Sequence, residues 1–404
     1  MSDNNTINDE IKNLFDQKSL LYESDENKRR LQMWGPNICP DEYLPGIIAP
    51  IPASKRKEKR IPITADWDRI QKAKLLKFDI IDYYKDPRQY LKWNLKIDIH
   101  RFLNFPDDTP LLKTIPIFLG IAFEPSLFGV EVIYSKDHEP LFTSEGAVIK
   151  TRNDFSKIPS FNFYTSGLMP LAHKFYEVLN ILVPKDYQVI FHKWDRAPLG
   201  VACGLRSMEN LLMDMIEEPK FVHQLMKMIT ETRKEFTRER RKLIGKEEIE
   251  SSLANDEASC PIISPGMYEE FCFPYEDDLA RFYGNIRWWH SCGSKSSFIS
   301  TIKKISRPVG VIDLNWWNDD FYKAIKELNG IIPYHIRLGE NEIMQSNPDI
   351  IRNTINAILS ITKNDNCMFR IDGYQPSNPT GEDVHTMKRF INLVKEISEK
   401  RVGY

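Results

Sequence analysis

Short apolar runs and longer amphipathic runs follow one another along most of the chain. From residue 187 onward, six short runs predict strands, at residues 187–193, 248–253, 286–289, 309–314, 331–337 and 367–371. Each is followed by a segment with helical periodicity, and the last of these, residues 380–397, closes the pattern. Continuous apolar residues such as those at 189–191 are typical of strands that are buried on both faces. Strands that alternate with helices predict a parallel sheet with right-handed crossovers.

The first half of the chain shows a weaker form of the same pattern. An apolar run at residues 114–123 predicts at least one more strand, and helical periodicity occurs at residues 67–78, 87–105 and 167–182. At least seven strands come close to the eight of a barrel, so we predict an α/β fold, a single (β/α)8 TIM-like barrel. An open doubly wound sheet is the alternative, although the chain has no G-x-G-x-x-G or P-loop motif that would favour it.

Residues 1–60 lie outside the alternating pattern. Residues 11–31 carry apolar residues at helical spacing, and prolines at positions 36, 40, 45, 50 and 52 then prevent a continued helix. We therefore predict two parts, an N-terminal extension of residues 1–60 that is partly helical and proline-rich, and a barrel of residues 61–404.

Composition excludes several classes of protein. The 404 residues are 42% hydrophobic, which is enough for a sizeable core. The net charge is −2, so the chain has no overall excess of basic residues that would indicate binding to nucleic acid. The most apolar run, residues 115–123, is too short to span a bilayer, so we expect no membrane association. The six cysteines form no C-x-x-C pair, and the N-terminus has no apolar signal core. We therefore predict free thiols in a reducing cytoplasm. The sequence leaves the oligomeric state open.

The segment IRWWHSCG, residues 286–293, contains the most distinctive chemistry. Side chains two apart on a strand point to the same side, so His290 and Cys292 can face one point. Nitrogen and thiolate are ligands that zinc favours. An isolated H-x-C is more often a core histidine beside a buried cysteine, but its place at a strand end favours a metal-binding pair.

Reactive residues of barrels collect at the C-terminal ends of the strands. Polar or aromatic residues follow six successive predicted strands here, namely Trp194 with Asp195, Asp256 with Glu257, His290 with Cys292, Asp313, Arg337 and Asp372. Structural alternatives remain for several of them. Asp195 and Asp313 could cap helices. Arg337 could be an ion-pair partner of Asp313, and Trp194 could belong to packed aromatics.

Several of these motifs resemble the uroporphyrinogen decarboxylase superfamily. They are WDRAPL at residues 194–199, EEPKFV at 217–222, DE at 256–257 with ISPGMYEEF at 263–271, and DGYQP at 372–376. The HSCG of residues 290–293 is similar to the H-x-C-G strand end of the cobalamin-linked methyltransferase branch. The likeness covers roughly residues 61–404, is strongest from residue 187, and implies a single TIM-like barrel.

The methyltransferase branch implies a zinc ion held by His290, Cys292 and a cysteine on the last strand. Here no cysteine stands near Gly373, and Cys367 lies toward the other end of that strand. Asp372 is at the right end and offers an oxygen ligand, so we favour it as the third ligand. Asp256 or Glu257 could supply the ligand instead.

The resemblance implies a zinc-dependent methyltransferase that activates a thiol or similar acceptor, with a small-molecule substrate. A corrinoid on a separate protein is implied by the resemblance alone. We expect Asp256 and Glu257 to orient the substrate or move a proton, and the substrate to contact Trp194, Asp195, Asp313 and Arg337. Two alternatives stay open. One is a metal-free decarboxylase of a carboxylic acid, although residues 61–64 replace the expected arginine-rich loop; the other is a non-catalytic barrel that binds a small ligand.

Overall fold

The structure, a computed structural model, describes residues 2–34, 52, 55–245, 251–317, 320–362 and 366–402. The described residues form eight strands, β1 (Ile63–Ala65), β2 (Thr114–Pro116), β3 (Gln188–Ile190), β4 (Ser252–Ala254), β5 (Trp288–His290), β6 (Ile312–Asn315), β7 (Tyr334–Gly339) and β8 (Cys367–Gly373).

All the strand pairs in these ladders are parallel. Six strands form one sheet in the order β1-β8-β7-β6-β5-β4, and β2 pairs with β3. An isolated parallel bridge between Arg196 and Ala254 joins the chain after β3 to β4. Among the described residues no ladder joins β1 to β2. There the backbone N–H groups of Ile63 and Ala65 donate instead to the carboxylates of Asp108 (2.9 Å) and Asp107 (3.0 Å). The predicted fold class, a single TIM-like α/β barrel, is confirmed.

The helices that link and surround the strands are α1 (Ser2–Tyr22), α2 (Asp25–Gln32), α3 (Arg69–Leu76), α4 (Ile80–Lys85), α5 (Pro87–Asn104), α6 (Phe123–Ser126), α7 (Met169–Leu182), α8 (Pro198–Arg206), α9 (Met208–Glu217), α10 (Pro219–Ile244), α11 (Pro265–Phe271), α12 (Phe273–Tyr283), α13 (Ile299–Ile302), α14 (Phe321–Leu328), α15 (Glu340–Ile343), α16 (Pro348–Ile361) and α17 (Gly381–Val402). Two 3₁₀ segments, Arg152–Lys157 and Ser296–Phe298, complete the described elements.

The six strands predicted from residue 187 onward are all present, with shifts of a few residues at their ends. The long helix α10 carries strong local signals at both of its ends. Pro219 occupies the first turn, where its missing N–H costs nothing. Gly245 adopts a left-handed φ of 65° just beyond the last turn, as helix-ending glycines do.

The run at residues 114–123 is not one strand, contrary to our prediction. The strand β2 ends at Pro116, and Gly120 turns the chain with a φ of 93° before α6 begins. The apolar residues after β2 are nevertheless buried, except for Ile121. Their hydrophobicity therefore reflects core packing and not a ladder.

The N-terminal segment packs against the barrel. Ile11, Leu14 and Phe15 of α1 are buried in the same apolar cluster as the barrel core. The Lys18 ammonium lies 2.6 Å from the Asp98 carboxylate of α5, which adds an ionic contact. Most of the predicted proline-rich stretch lies outside the described residues, and the boundary at residue 60 stays a prediction.

None of the helices in the described ranges combines the length and apolarity needed to cross a membrane.

Candidate metal centre and substrate cavity

His290 is the last residue of β5, and its ring is fixed on two sides. The Trp288 ring, two residues earlier and on the same face, stacks on the imidazole with centroids 4.7 Å apart. The Asp313 carboxylate of β6 lies 2.7 Å from His290 Nδ1. A carboxylate can only accept, so Nδ1 carries the proton and donates. This fixes the ring so that Nε2 faces the neighbouring side chains.

Two further ligand-type atoms lie beside that Nε2. The Cys292 sulfur is 3.3 Å from it, and the Asp256 Oδ1 is 3.1 Å from it. The nitrogen, sulfur and oxygen atoms all lie within 4.8 Å of one another. Tetrahedral zinc, with bonds of about 2.0 to 2.3 Å, would space its ligand atoms roughly 3.3 to 3.7 Å apart. The separations of the Cys292 sulfur and the Asp256 oxygen from His290 Nε2 therefore fit zinc after shifts of a few tenths of an ångström.

The third side chain of this cluster is Asp256, whereas the sequence favoured Asp372. Asp256 follows β4, which pairs directly with β5 so that Ala254 is opposite His290. Asp372 instead sits between two arginines, 3.0 Å from Arg337 Nε and 2.7 Å from Arg370 Nε. Its carboxylate is taken by these two ion pairs, because β8 lies beside β7 and three strands away from β5. Asp256, the alternative ligand, is the one that the fold brings to the pair.

The turn after β5 is held by specific backbone contacts. The Asn315 side-chain amide of β6 donates to the carbonyls of Cys292 (2.8 Å) and Gly293 (3.2 Å). A Cβ atom at Gly293 would lie 2.3 Å from Ser259 Cβ, a distance that no side chain tolerates. The glycine thus lets the cysteine-bearing turn approach the segment that carries Asp256.

The electrostatics of the cluster favour charged partners. Burial opposes ionisation of Asp256 and Asp313, yet His290 and nearby cationic side chains hold the pKa of both carboxyls well below the usual range. Burial would lower the pKa of His290, but the negative charges of Asp313 and Cys292 and the hydrogen bonds to Asp256 and Asp313 raise it well above its ordinary value. The cluster therefore attracts a cation, either a proton or a metal ion.

A cavity of about 420 Å³ opens in front of the cluster. Asp256, His290, Cys292 and the predicted residues Asp195, Arg337 and Asp372 all line it. Its size is within the range of small-molecule sites.

Three predicted side chains do not line this cavity. Trp194 packs on Phe128 and Phe236 and donates to the Arg196 carbonyl, which places it in the aromatic core; its expected substrate contact stays a prediction. Asp313 lies behind His290 and is fully buried; it holds the imidazole and does not face a substrate. Glu257 is also buried and forms an ion pair with Arg196.

Sequence reasoning missed several residues of the cavity wall. Thr64 and Asp66, around β1, line it, as does Arg370 of β8. Alternation along the strand could have found Arg370, since residues two apart share a face and Asp372 was already placed there. Thr64 and Asp66 show the same spacing at the end of β1, a strand too short to stand out as an apolar run.

The fold and this cluster define a (β/α)8 barrel protein with histidine, cysteine and aspartate converging at the strand ends. The sequence profile of the family described as uroporphyrinogen decarboxylase (URO-D) matches residues 71–365. The chain belongs to this family. The predicted resemblance is therefore confirmed for the greater part of the barrel.

A solved structure gives a second likeness. A methyltransferase from Methanosarcina mazei superposes with a TM-score of 0.57 at 13% sequence identity, covering 84% of this chain and 96% of that chain. At this identity the likeness shows the shared fold. No curated protein sequence matches the chain.

Proposed function

We propose that the protein is a zinc-dependent methyltransferase that activates the thiol of a small acceptor. The observation that supports this most is the convergence of His290 Nε2, Cys292 Sγ and Asp256 Oδ1 at the mouth of an open cavity. These three side chains would hold the zinc and leave a position for the acceptor. When bound, the zinc would keep a thiol ionised at neutral pH and so make it nucleophilic.

The remaining residues of the site keep this arrangement in place. Asp313 keeps the proton on His290 Nδ1, which leaves the Nε2 lone pair available as a ligand. Trp288 covers one face of the imidazole and restricts its rotation. Arg196 lines the cavity and pairs with the buried Glu257 behind it. Of the two carboxylates predicted to orient the substrate or move a proton, Asp256 lines the cavity and Glu257 does not.

Methyl transfer in this site would proceed by displacement. The acceptor thiol gives its proton to water. Its sulfur then forms a bond to the methyl carbon while the bond from that carbon to the donor breaks, and the electron pair leaves with the donor. We place the small acceptor inside the cavity and a corrinoid donor, carried by a separate protein, at its mouth.

Zinc content tests the proposal directly. The purified wild type should hold stoichiometric zinc, and His290→Ala and Cys292→Ala should lose it. Cys260→Ala is the matched control, since Cys260 is a partly exposed free thiol whose sulfur lies 3.0 Å from Ser297 Oγ, outside the cluster. Wild type that purifies without zinc, and takes none up, would contradict the metal-dependent proposal.

Activity can be tested with methylcobalamin as the donor probe and a small thiol as the acceptor. Thioether formation, followed by mass spectrometry, should require zinc and Cys292. Release of carbon dioxide from a carboxylic acid by the zinc-free protein would instead support the decarboxylase alternative.

A further inference from the structure

The cavity has a second polar wall, opposite the His290–Cys292–Asp256 cluster. It is built by β1 and β8, which pair in parallel so that Thr64 is the register partner of Arg370. Asp66 follows two residues after Thr64, and all three side chains line the cavity. In the sheet order β1 and β8 lie at one end and β5 and β4 at the other. The cavity therefore lies between the cluster and this second wall.

Each of these three residues has a buried polar atom with no hydrogen-bond partner in the described part of the protein. The atoms are Thr64 Oγ1, Asp66 Oδ1 and Arg370 Nη1. The residues themselves are only 1%, 6% and 5% exposed. Leaving a buried polar group unpaired costs about 1 to 3 kcal/mol. Three such atoms on one cavity wall therefore indicate a surface that a polar ligand completes.

The partners of the same side chains show which charge each part of the wall prefers. The other oxygen of Asp66 accepts a hydrogen bond from Lys72 at 2.8 Å. The exposed Asp68 also lines the cavity, and although it precedes α3, its side chain makes no hydrogen bond that caps this helix. Arg370 uses Nε for Asp372, at 2.7 Å, and Arg337 shares that carboxylate. The β1 end of the wall is thus acidic. The β8 end has two guanidinium groups around one carboxylate.

The wall is close enough to the cluster for one small molecule to reach both. The Arg370 guanidinium lies over the Trp288 ring, 5.6 Å from its centroid, and that ring lies 4.7 Å from the imidazole centroid of His290. The Trp288 ring thus contacts both sites and spans the distance between them. This span suits a short aliphatic chain.

We infer that the second wall binds the head group of an α-amino acid. The ammonium donates to Asp66 Oδ1, and the carboxylate accepts from Arg370 Nη1 and from the Thr64 hydroxyl. An amino-acid thiol bound in this way directs its sulfur across the cavity toward Cys292. The thiol part of the inference rests on the proposed function, whereas the head-group part does not. A purely anionic head group would leave Asp66 Oδ1 unpaired, and a purely cationic one would leave Arg370 Nη1 unpaired.

Calorimetric titration with four probes tests the head group. L-cysteine and L-homocysteine carry both charged groups; cysteamine lacks the carboxylate, and 3-mercaptopropionate lacks the ammonium. At least one of the two amino acids should bind about tenfold or more tightly than either single-charge probe, because each missing group leaves a buried atom unpaired. Equal binding of all four probes, or binding of none, would overturn the inference and leave hydration as the only role of these atoms.

Single-residue variants test which part of the head group each side chain of the wall contacts. Asp66→Asn should weaken the preferred amino acid about tenfold and leave 3-mercaptopropionate unchanged. Thr64→Val, which keeps the side-chain volume, should weaken the amino acid and 3-mercaptopropionate alike. The control Asp186→Asn changes an exposed aspartate paired with Lys113 and should have no effect. Thermal unfolding of each variant identifies any loss that reflects misfolding.

A thiol-free probe separates this inference from the proposed function. L-2-aminobutyrate should bind to chelator-treated protein and should lose affinity in Asp66→Asn. That result would stand even if the protein held no zinc and transferred no methyl group. Conversely, zinc-dependent methylation of cysteamine as efficient as that of both amino acids would leave the proposed function intact and overturn the head-group site.

Discussion

The Asp313 carboxylate of β6 lies 2.7 Å from Nδ1 of His290 on β5 and is fully buried behind it. This pair links two neighbouring strands and sets the direction of the imidazole. When a metal-binding histidine donates its other ring N–H to a carboxylate, that hydrogen bond orients the ring and makes the histidine a better ligand. Arg337 Nη1, 3.5 Å from the same Asp313 oxygen, keeps the carboxylate ionised in turn.

We expect Asp313→Asn to weaken zinc binding about 10- to 100-fold. The amide oxygen can still accept from Nδ1, but the negative charge that strengthens the ligand is gone. Competition with a chelating zinc indicator gives the affinity. Asp186→Asn, at an exposed site, should leave it unchanged. An Asp313→Asn protein that binds zinc as tightly as the wild type would show that the pair has no part in metal binding.

The two candidate oxygen ligands make opposite predictions. Asp256→Ala should abolish zinc binding, because Oδ1 of Asp256 stands 3.1 Å from His290 Nε2. Asp372→Ala should retain zinc, because Asp372 is paired with Arg337 and Arg370. Metal analysis of both variants decides the question. If only the Asp372→Ala variant lost zinc, the third ligand would be Asp372 on the last strand and not Asp256.

Cysteine alkylation reports on the cluster without an activity assay. Cys292 is exposed, whereas Cys203, Cys272 and Cys367 are buried. Iodoacetamide should therefore label Cys292 in chelator-treated protein, and added zinc should protect it, because a sulfur that coordinates the ion is shielded from the reagent. Peptide mass spectrometry measures the labelling. Partly exposed Cys260 is the internal control, and its labelling should not respond to zinc. Equal labelling of Cys292 with and without zinc would argue against its role as a ligand.

Much of the barrel could be predicted because each later strand is an apolar run with its own flanking signals. The His290–Cys292 pair follows from strand alternation alone. Asp256 was not the favoured third zinc ligand, because the family pattern places that ligand on the last strand, where Asp372 lies. Strand order contains the missing information: successive strands of a barrel are neighbours, so the end of β4 lies beside His290 and the end of β8 does not.

Side-chain direction limits what a sequence can show about the cavity. Trp194 and Asp195 are adjacent, yet one is in the aromatic core and the other lines the cavity. Arg337 and Asp372 face the cavity as predicted, but their mutual ion pair depends on a register that the sequence does not specify. The position of Thr64 and Asp66 on the cavity wall depends on the pairing of β1 with β8, which the sequence does not specify.

Acid should unfold this protein partly through Asp108, which lies between the N-terminal segment and the last helix. Its buried carboxylate accepts from Arg60 at 2.6 and 2.7 Å and from the Ile63 N–H at 2.9 Å, and Lys395 of α17 is 3.4 Å away. Burial opposes its charge, but Arg60 and Lys395 hold the pKa of the Asp108 carboxyl well below its ordinary value. A lowered pKa in the folded state means stabilisation that is complete above the unfolded pKa of about 3.9 and is lost as the pH falls below it.

We therefore expect the melting temperature of the wild type to fall most steeply between about pH 4 and pH 2. Asp108→Asn removes the charge but keeps the side-chain shape. It should lower the free energy of unfolding by about 3 kcal/mol at pH 7, because Arg60 is left buried beside a neutral amide. Its melting temperature should then change less between about pH 4 and pH 2 than that of the wild type, since one carboxylate that must be protonated is gone. Asp186→Asn, at an exposed pair with Lys113, should keep the wild-type slope. An Asp108→Asn profile parallel to that of the wild type would show that other carboxylates govern acid unfolding.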